Sequence, residues 1–412
     1  MSLTAVSNGF RVVDKSEHAM NLFLLGYGPT GSAKTLPVSQ YLRRILHTAS
    51  HISEKNVTLP FDNSSLEGLI SYCAQEKIFS GLAVHDEFSS LLNVRKNMNH
   101  YMKEIDGILT HLHDGTGYDR VTRYKGKPNH EVIPPDSYYS IVSTTTNNRV
   151  ISLLDEDWFI NGAGVRFLYE KLPPTPRRKL SAIKADDQFI LNCASFLIGL
   201  NSFARQKIPF DDDALNLYET YFDNIETIRI QCDETRELIA DYLNRIGPEF
   251  LPKIAGLKAM SNMFVEDPTS LHISQPYIEE SIKHFNGRND EEIINAVYWR
   301  AFIKEQIDNN NLKVRKEDVQ YSFGLIKKYL KNYQNILETA VFESGQTELD
   351  AIKQKIVNYL MKYGKTPEGR LKNKCRLSDI KRYEEAKNEL VSEHKIAIED
   401  RYKSGKYLSL SL

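Results

Sequence analysis

The feature that most constrains this chain is a glycine-rich loop set between an apolar run and a helical pattern. Leu22-Phe23-Leu24-Leu25 leads into GYGPTGSAKT, residues 26–35. An apolar run that empties into such a loop reads as a buried strand, a tight turn and then a helix. The loop's backbone N–H groups and the helix N-terminus then converge on one point, which suits a phosphate. Gly28, Pro29, Thr30, Gly31, Ser32, Ala33, Lys34 and Thr35 form the expected cradle. Lys34 would reach the β- and γ-phosphates, and the Thr35 hydroxyl would ligate magnesium.

A second apolar run, Gly81-Leu82-Ala83-Val84-His85, ends in Asp86-Glu87. Alone, a glycine loop is often just a turn, and an acidic pair is often a strand end meeting water. In this order, with helix-sized sequence between them, the two predict hydrolysis of a nucleoside triphosphate. Asp86 goes to the magnesium side and Glu87 to the attacking water.

A chain of 412 residues predicts two or three domains. Net charge is −1, but residues 351–412 carry 15 Lys and Arg against 8 Asp and Glu. That asymmetry hints at a nucleic-acid-facing tail, or at a lysine-biased helical one. Cys73, Cys193, Cys232 and Cys375 are widely spaced, which argues against a zinc site or a disulfide framework and for a reducing cytoplasm. No apolar run approaches ~18 residues, so no membrane span is expected.

Along the chain, the pattern predicts helices over 35–47, 64–76 and 97–112, with Ser64 and Glu67 as a capping box. Residues 138–146 (YYSIVSTTT) read as a third strand, ending at Asn147. Between the acidic pair and that strand, residues 115–130 read as a basic β-hairpin. Arg120, Arg123, Lys125 and Lys127 would grip nucleic-acid phosphates there, with Tyr118 and Tyr124 free to stack. A solvated loop is the alternative. Residues 172–178 (LPPTPRR) are the clearest linker. Helical pattern follows, strongest over 188–202 and 213–246, with Asp211-Asp212-Asp213 as an N-terminal cap. In the tail, helices over 349–363, 366–377 and 378–394 and strands over 396–399 and 407–410 predict a winged helix-turn-helix, against a generic helical cap.

Ring-shaped ATPases also need a polar residue near the γ-phosphate and a cation from a neighbouring subunit. Asn147 and Arg166 stand in the right order for those roles. His111 and His113 beside Asp114 lack the partners a metal site needs.

These motifs resemble those of the minichromosome-maintenance (MCM) helicases. GPTGSAKT has Ala33 where ordinary phosphate loops carry glycine, as that family does. HDEFSSLL (residues 85–92) resembles its I-D-E-F segment, STTTN (143–147) its sensor strand, and VRF (165–167) its S-R-F finger. The basic hairpin falls where that family has its pre-sensor hairpin. The chain is also similar to AAA+ primase-helicases of mobile elements and viruses. The resemblance implies Lys34 and Thr35 for phosphate and magnesium, Asp86 for magnesium, Glu87 for water activation, Asn147 as sensor and Arg166 as a finger acting in trans. Lys253 and Lys258 are the candidates for a second-sensor cation. The first strand begins at residue 21, so a separate DNA-binding or primase partner is expected to supply the counterpart of the family's N-terminal half.

The expected architecture is therefore an α/β AAA+ P-loop ATPase core (1–172), a helical lid region (173–345) and a C-terminal winged helix (346–412). The expected activity is that of an ATP- and Mg2+-dependent, ring-forming, hexameric DNA helicase or translocase in replication, cytoplasmic and nucleoid-associated. Its DNA would be single-stranded or forked. The alternatives are an ATP-switched DNA-binding initiator or loader, and a protein-remodelling ATPase.

Overall fold

The computed structural model of the protein describes residues 10–29, 37–53, 58–59, 66–77, 80–85, 87–88, 105–124, 127–154, 156–173, 186–203, 205–232, 236–265, 267–287, 291–339, 344–374, 380–393, 395–401 and 405–410. The chain divides into two compact units, Met1–Asn335 and Ile336–Leu412. Residues 173–335 of the expected lid region fall in the same compact unit as the strands, and residues 336–345 in the other.

The strands of the first unit are β1 (Phe10–Val13), β2 (Glu17–Ala19), β3 (Phe23–Gly28), β4 (Thr58–Leu59), β5 (Ser80–His85), β6 (Tyr118–Tyr124), β7 (Lys127–Ile133), β8 (Tyr138–Thr146), β9 (Phe167–Lys171) and β10 (Gln206–Pro209). Five of them form one parallel sheet in the order β4-β5-β8-β3-β9. A parallel sheet is covered on both faces, so its strands read as unbroken apolar runs. This is why β3, β5 and β8 stand out in the sequence. β8 lies between β3 and β5, with Gly28 opposite Thr146 and His85 opposite Ser143. The carboxyl ends of the loop-bearing strand and the acid-bearing strand therefore flank the end of β8, the edge at which open α/β sheets bind ligands.

Helical turns begin at Pro37 and continue as the helix Arg43–Ser53, which buries Ile45, Leu46, Ala49 and Ile52. Helix Ile105–Asp114 ends at Gly115, whose φ is +66° and whose N–H donates to His111 O. A β-carbon there would lie 2.3 Å from the Tyr138 ring, so the left-handed stop requires glycine. The hairpin β6–β7 follows in register from Tyr118↔Ile133 to Tyr124↔Lys127.

A small second sheet, β10-β1-β2, joins the start of this unit to its middle, β1 pairing parallel to β10. The helix Leu251–Ser261 packs on it so closely that a β-carbon on Gly256 would meet Met20 Cε at 2.9 Å and Val12 Cβ at 3.0 Å. The acidic run caps the helix Asp212–Ile230, Asp211 accepting from Ala214 N. The single long helix expected over 213–246 is instead two, Asp212–Ile230 and Glu237–Arg245. The chain turns back so that Gly247 rests on Phe222 and Ile225, burying a face that a straight helix would leave in water. Tyr242 stacks on Tyr333 at 3.9 Å and donates to Phe167 O, while Asn332 donates to Tyr169 O. These contacts fix the helices against β9.

The second unit has helices Ser344–Tyr363, Glu368–Lys374 and Ile380–Ser392, and strands β11 (Thr366–Pro367), β12 (Ile396–Arg401) and β13 (Gly405–Leu410). The strands pair antiparallel in the order β11-β13-β12. Ile356, Leu360, Leu371, Tyr383, Leu390 and Leu408 form its core. The two-residue strand β11 is too short to announce itself in sequence. Of the tail's lysines, Lys353, Lys365, Lys372, Lys387 and Lys395 pair with glutamates, which spends much of its positive charge internally. Among the described residues, no helix is long and apolar enough to cross a membrane.

Candidate phosphate-loop site

Gly28 ends β3 and Pro29 follows it, half-buried. Thr30, Gly31, Ser32, Ala33, Lys34, Thr35 and Asp86 lie outside the described residues. Glu87 and Asn147 fall on the carboxyl edge of the sheet, whereas Arg166 precedes β9 at its amino edge and Arg120 lies on the hairpin.

Glu87 follows β5. Its Oε1 accepts a 2.8 Å hydrogen bond from Thr145 Oγ1 on β8. Phe88 N donates to Thr144 O at 3.0 Å, and Ser143 Oγ donates to His85 O at 2.7 Å. The chain carrying the acid is thus tied to β8 at three points. Asn147 opens the helix Asn147–Leu153, which Thr146 caps by accepting from Arg149 N. Asn147 Oδ1 is buried and accepts no hydrogen bond among the described residues. A buried acceptor without a donor costs about 1–3 kcal/mol. On β3, Tyr27 is likewise buried, and burial with the nearby Glu170 carboxylate pushes its hydroxyl up to about 12.

Arg166 departs from expectation. It is 6% exposed, in the short helical turn Gly164–Arg166 before β9. Nε donates to Asp114 Oδ1 at 3.0 Å, Nη2 to Asp114 Oδ2, and Nη1 to Gly162 O. All three guanidinium nitrogens are satisfied inside the subunit, so in this conformation the side chain is an internal anchor, not a cation offered to a neighbour. Nothing local in the sequence marks Asp114, 52 positions away, as the partner of Arg166.

Asp114 also accepts from Arg245 at 3.2 Å through both oxygens, and Arg245 Nη1 donates to Glu249 at 2.9 Å. Lys253, expected as one possible second-sensor cation, is buried and donates to Glu249 Oε1 at 2.6 Å and to Asn21 Oδ1 at 3.1 Å. Asn21 in turn donates to His113 O and Tyr139 O. Burial alone would raise the Asp114 carboxyl, but hydrogen bonds from His113 and Arg166 hold it well below the usual carboxylate range. Burial would also raise Glu249, and the Lys253 and Arg245 charges reverse that. Burial lowers His113, which stays neutral. Ligand atoms of His113, Asp114 and Glu249 lie within 4.8 Å of one another. Two carboxylates already facing Arg166, Arg245 and Lys253 leave no negative charge for a divalent ion, so this cluster is a buried ionic clamp and an empty candidate for a cation.

The hairpin needs a similar correction. Arg120 Nε donates to buried Glu131 at 2.7 Å, and Ser71 on the helix Leu66–Glu76 bonds both residues. Arg120 pins the hairpin base and is not available to a phosphate. Lys125 and the side chains of Arg123 and Lys127 lie outside the described residues. Lys258, the other second-sensor candidate, bonds Asn262 and lies over the Tyr321 ring at 5.4 Å. Thr145, Arg245 and Glu249 were missed. Only Thr145 had a signal, as the hydroxyl-bearing residue two positions before the sensor asparagine.

No protein-family model matches this chain, and no curated protein is significantly similar to it.

Proposed function

We propose that the chain is an AAA+ ATPase of the P-loop class that couples ATP hydrolysis to movement along DNA. One observation carries this reading: β8 is inserted between the strand that leads into the glycine-rich loop and the strand that delivers Glu87, so that loop, acid and Asn147 share one sheet edge. Backbone N–H groups of the loop and Lys34 hold the β- and γ-phosphates. Thr35 and Asp86 would hold magnesium, which supplies charge neutralisation on the phosphates. Glu87 orients and deprotonates the attacking water, and the Thr145 hydroxyl sets the rotamer of its carboxylate. The unpartnered Asn147 Oδ1 accepts a hydrogen bond from that water or from the nucleotide's surroundings.

The second unit's order of helix, strand, helix, helix and hairpin supports a winged helix. Ring assembly, a replication role and a nucleoid setting rest on the resemblance to MCM helicases alone. The internal pairing of Arg166 and Arg120 leaves room for the loader reading, in which ATP switches DNA binding without unwinding.

The test is ATP hydrolysis by the full chain with and without single-stranded DNA, beside Lys34→Ala and Glu87→Gln. Lys34→Ala should lose nucleotide binding, and Glu87→Gln should bind ATP and turn over about 100-fold more slowly. Normal nucleotide affinity in Lys34→Ala would sink the assignment. Hydrolysis indifferent to DNA would favour the switch or protein-remodelling readings.

A further inference from the structure

The helix Lys316–Leu337 carries a face that the ATPase reading does not use. Gln320, Tyr321, Gly324, Lys327, Lys328 and Lys331 are all exposed on it. Lys328 pairs with Glu170, but Lys327 and Lys331, one turn apart, have no carboxylate within ion-pair distance among the described residues. Like charges at that spacing repel, so the row costs stability unless an anion meets it. The exposed acid on this face is Glu317, at the helix start; Asp318 points inward, bonding Asn262 and Arg315 N.

Gly324 sits mid-helix within this row. A β-carbon there would meet nothing within 4 Å, so no neighbour in the fold requires glycine. Mid-helix glycine costs about 1 kcal/mol relative to alanine, and what it provides is a bare backbone for close approach. One turn before it stands Tyr321, 49% exposed, with the Lys258 ammonium over its ring. Tyr321 also lines a cavity of about 300 Å³ with Leu22, Leu24, Val142, Leu325 and Tyr329. One turn before Lys327, Phe323 stacks on Tyr221 at 3.8 Å, with the Lys327 ammonium at 4.9 Å over its ring.

An unpaired lysine row, an open glycine, and an exposed aromatic at the mouth of an apolar cavity are the elements of a single-strand nucleic-acid track. We propose that single-stranded nucleic acid binds this face, one base entering the cavity against Tyr321 while the backbone crosses Gly324 onto Lys327 and Lys331. A duplex would keep its bases stacked and leave the cavity unused. An acidic peptide would satisfy the lysines and ignore the ring. The inference rests on the nucleic-acid reading above and assigns it a surface away from the hairpin.

The test is fluorescence anisotropy of labelled oligo-dT with the full chain, without nucleotide, across a salt series. Tyr321→Leu should weaken binding about tenfold through lost stacking. Lys327→Gln/Lys331→Gln should weaken it similarly and flatten the salt dependence by about 1.4 in log–log slope. Gly324→Leu should block the track, whereas Gly324→Ala keeps most of the affinity. Circular dichroism melts check that each variant is folded. Wild-type affinity in folded Tyr321→Leu and in the double-lysine variant would overturn the proposal, as would equal competition by polyglutamate. Basal ATP hydrolysis, read in parallel, separates the two ideas. Binding through this face without hydrolysis would remove the ATPase reading and keep the surface. Hydrolysis without oligonucleotide binding would do the reverse.

Discussion

Arg166 meets Asp114 through two parallel N–H···O bonds, and Asp114 meets Arg245 through two more, so one carboxylate joins the turn before β9 to the helix Glu237–Arg245. Removing one partner of such a buried pair strands the other. Arg166→Ala is therefore expected to destabilise the first unit by about 3–5 kcal/mol, read as a lowered urea midpoint. Replacing both Arg166 and Asp114 by apolar residues of similar size should recover part of that loss. Unchanged stability, with activity lost only in mixed assemblies, would return Arg166 to a role between subunits.

Acid should loosen this clamp in two stages. His113 has a lowered pKa in the folded state, so below about 6.5 the unfolded chain binds more protons and stability drops as the pH is lowered. Asp114 and Glu249 are also depressed in the fold. Their contribution is complete above the ordinary carboxylate range and is lost as pH drops below about 4. Urea unfolding across both windows checks this, and Asp114→Asn should remove part of the lower stage.

Thr145 is a positioning residue for Glu87 in the proposed hydrolysis. Thr145→Val should reduce kcat for ATP about tenfold with KM little changed, because a freely rotating carboxylate spends less time oriented. Thr145→Ser, which keeps the hydroxyl, should restore most of the rate. A Val variant as active as wild type would show that Glu87 needs no such partner.

Asn147 carries a buried acceptor with no donor among the described residues, so stability and activity should part there. Asn147→Ala should unfold within about 1 kcal/mol of wild type, or later, while hydrolysis falls about 100-fold. A large loss of stability instead would make Asn147 structural.

Gly256 tests the packing of the helix Leu251–Ser261 on β1. Gly256→Val pushes into Met20 and Val12 and should cost about 1–3 kcal/mol in chemical denaturation.

Much of the sheet was legible because buried parallel strands leave continuous apolar runs, as in β3, β5 and β8. The hairpin was legible from β-formers around Lys125-Gly126, and the cap at Asp211 from an acidic run before a helical pattern. β1, β10 and β11 were not, being two to four residues long and defined by partners far away in the chain. Arg166 and Arg120 look like surface cations in sequence because nothing local marks Asp114 or Glu131 as their partners. Glu131 directly follows the stretch, residues 115–130, that reads as basic. Motif order places a residue at an edge; only tertiary packing decides which way it turns.

The ionic clamp also says when this unit becomes foldable on the ribosome. Asn21, His113, Asp114 and Arg166 emerge long before Arg245, Glu249 and Lys253, the last of them 232 positions after Asn21. Until residue 253 has left the exit tunnel, Asp114 has Arg166 but waits for Arg245, and Asn21 Oδ1 has no Lys253; β1 waits for β10 until residue 209. At about 5–20 residues per second, that is an interval of several seconds or more in which the clamp is incomplete. For the same reason, cutting the gene at the proline-rich linker should yield an insoluble fragment, although that linker is the most inviting boundary the sequence offers.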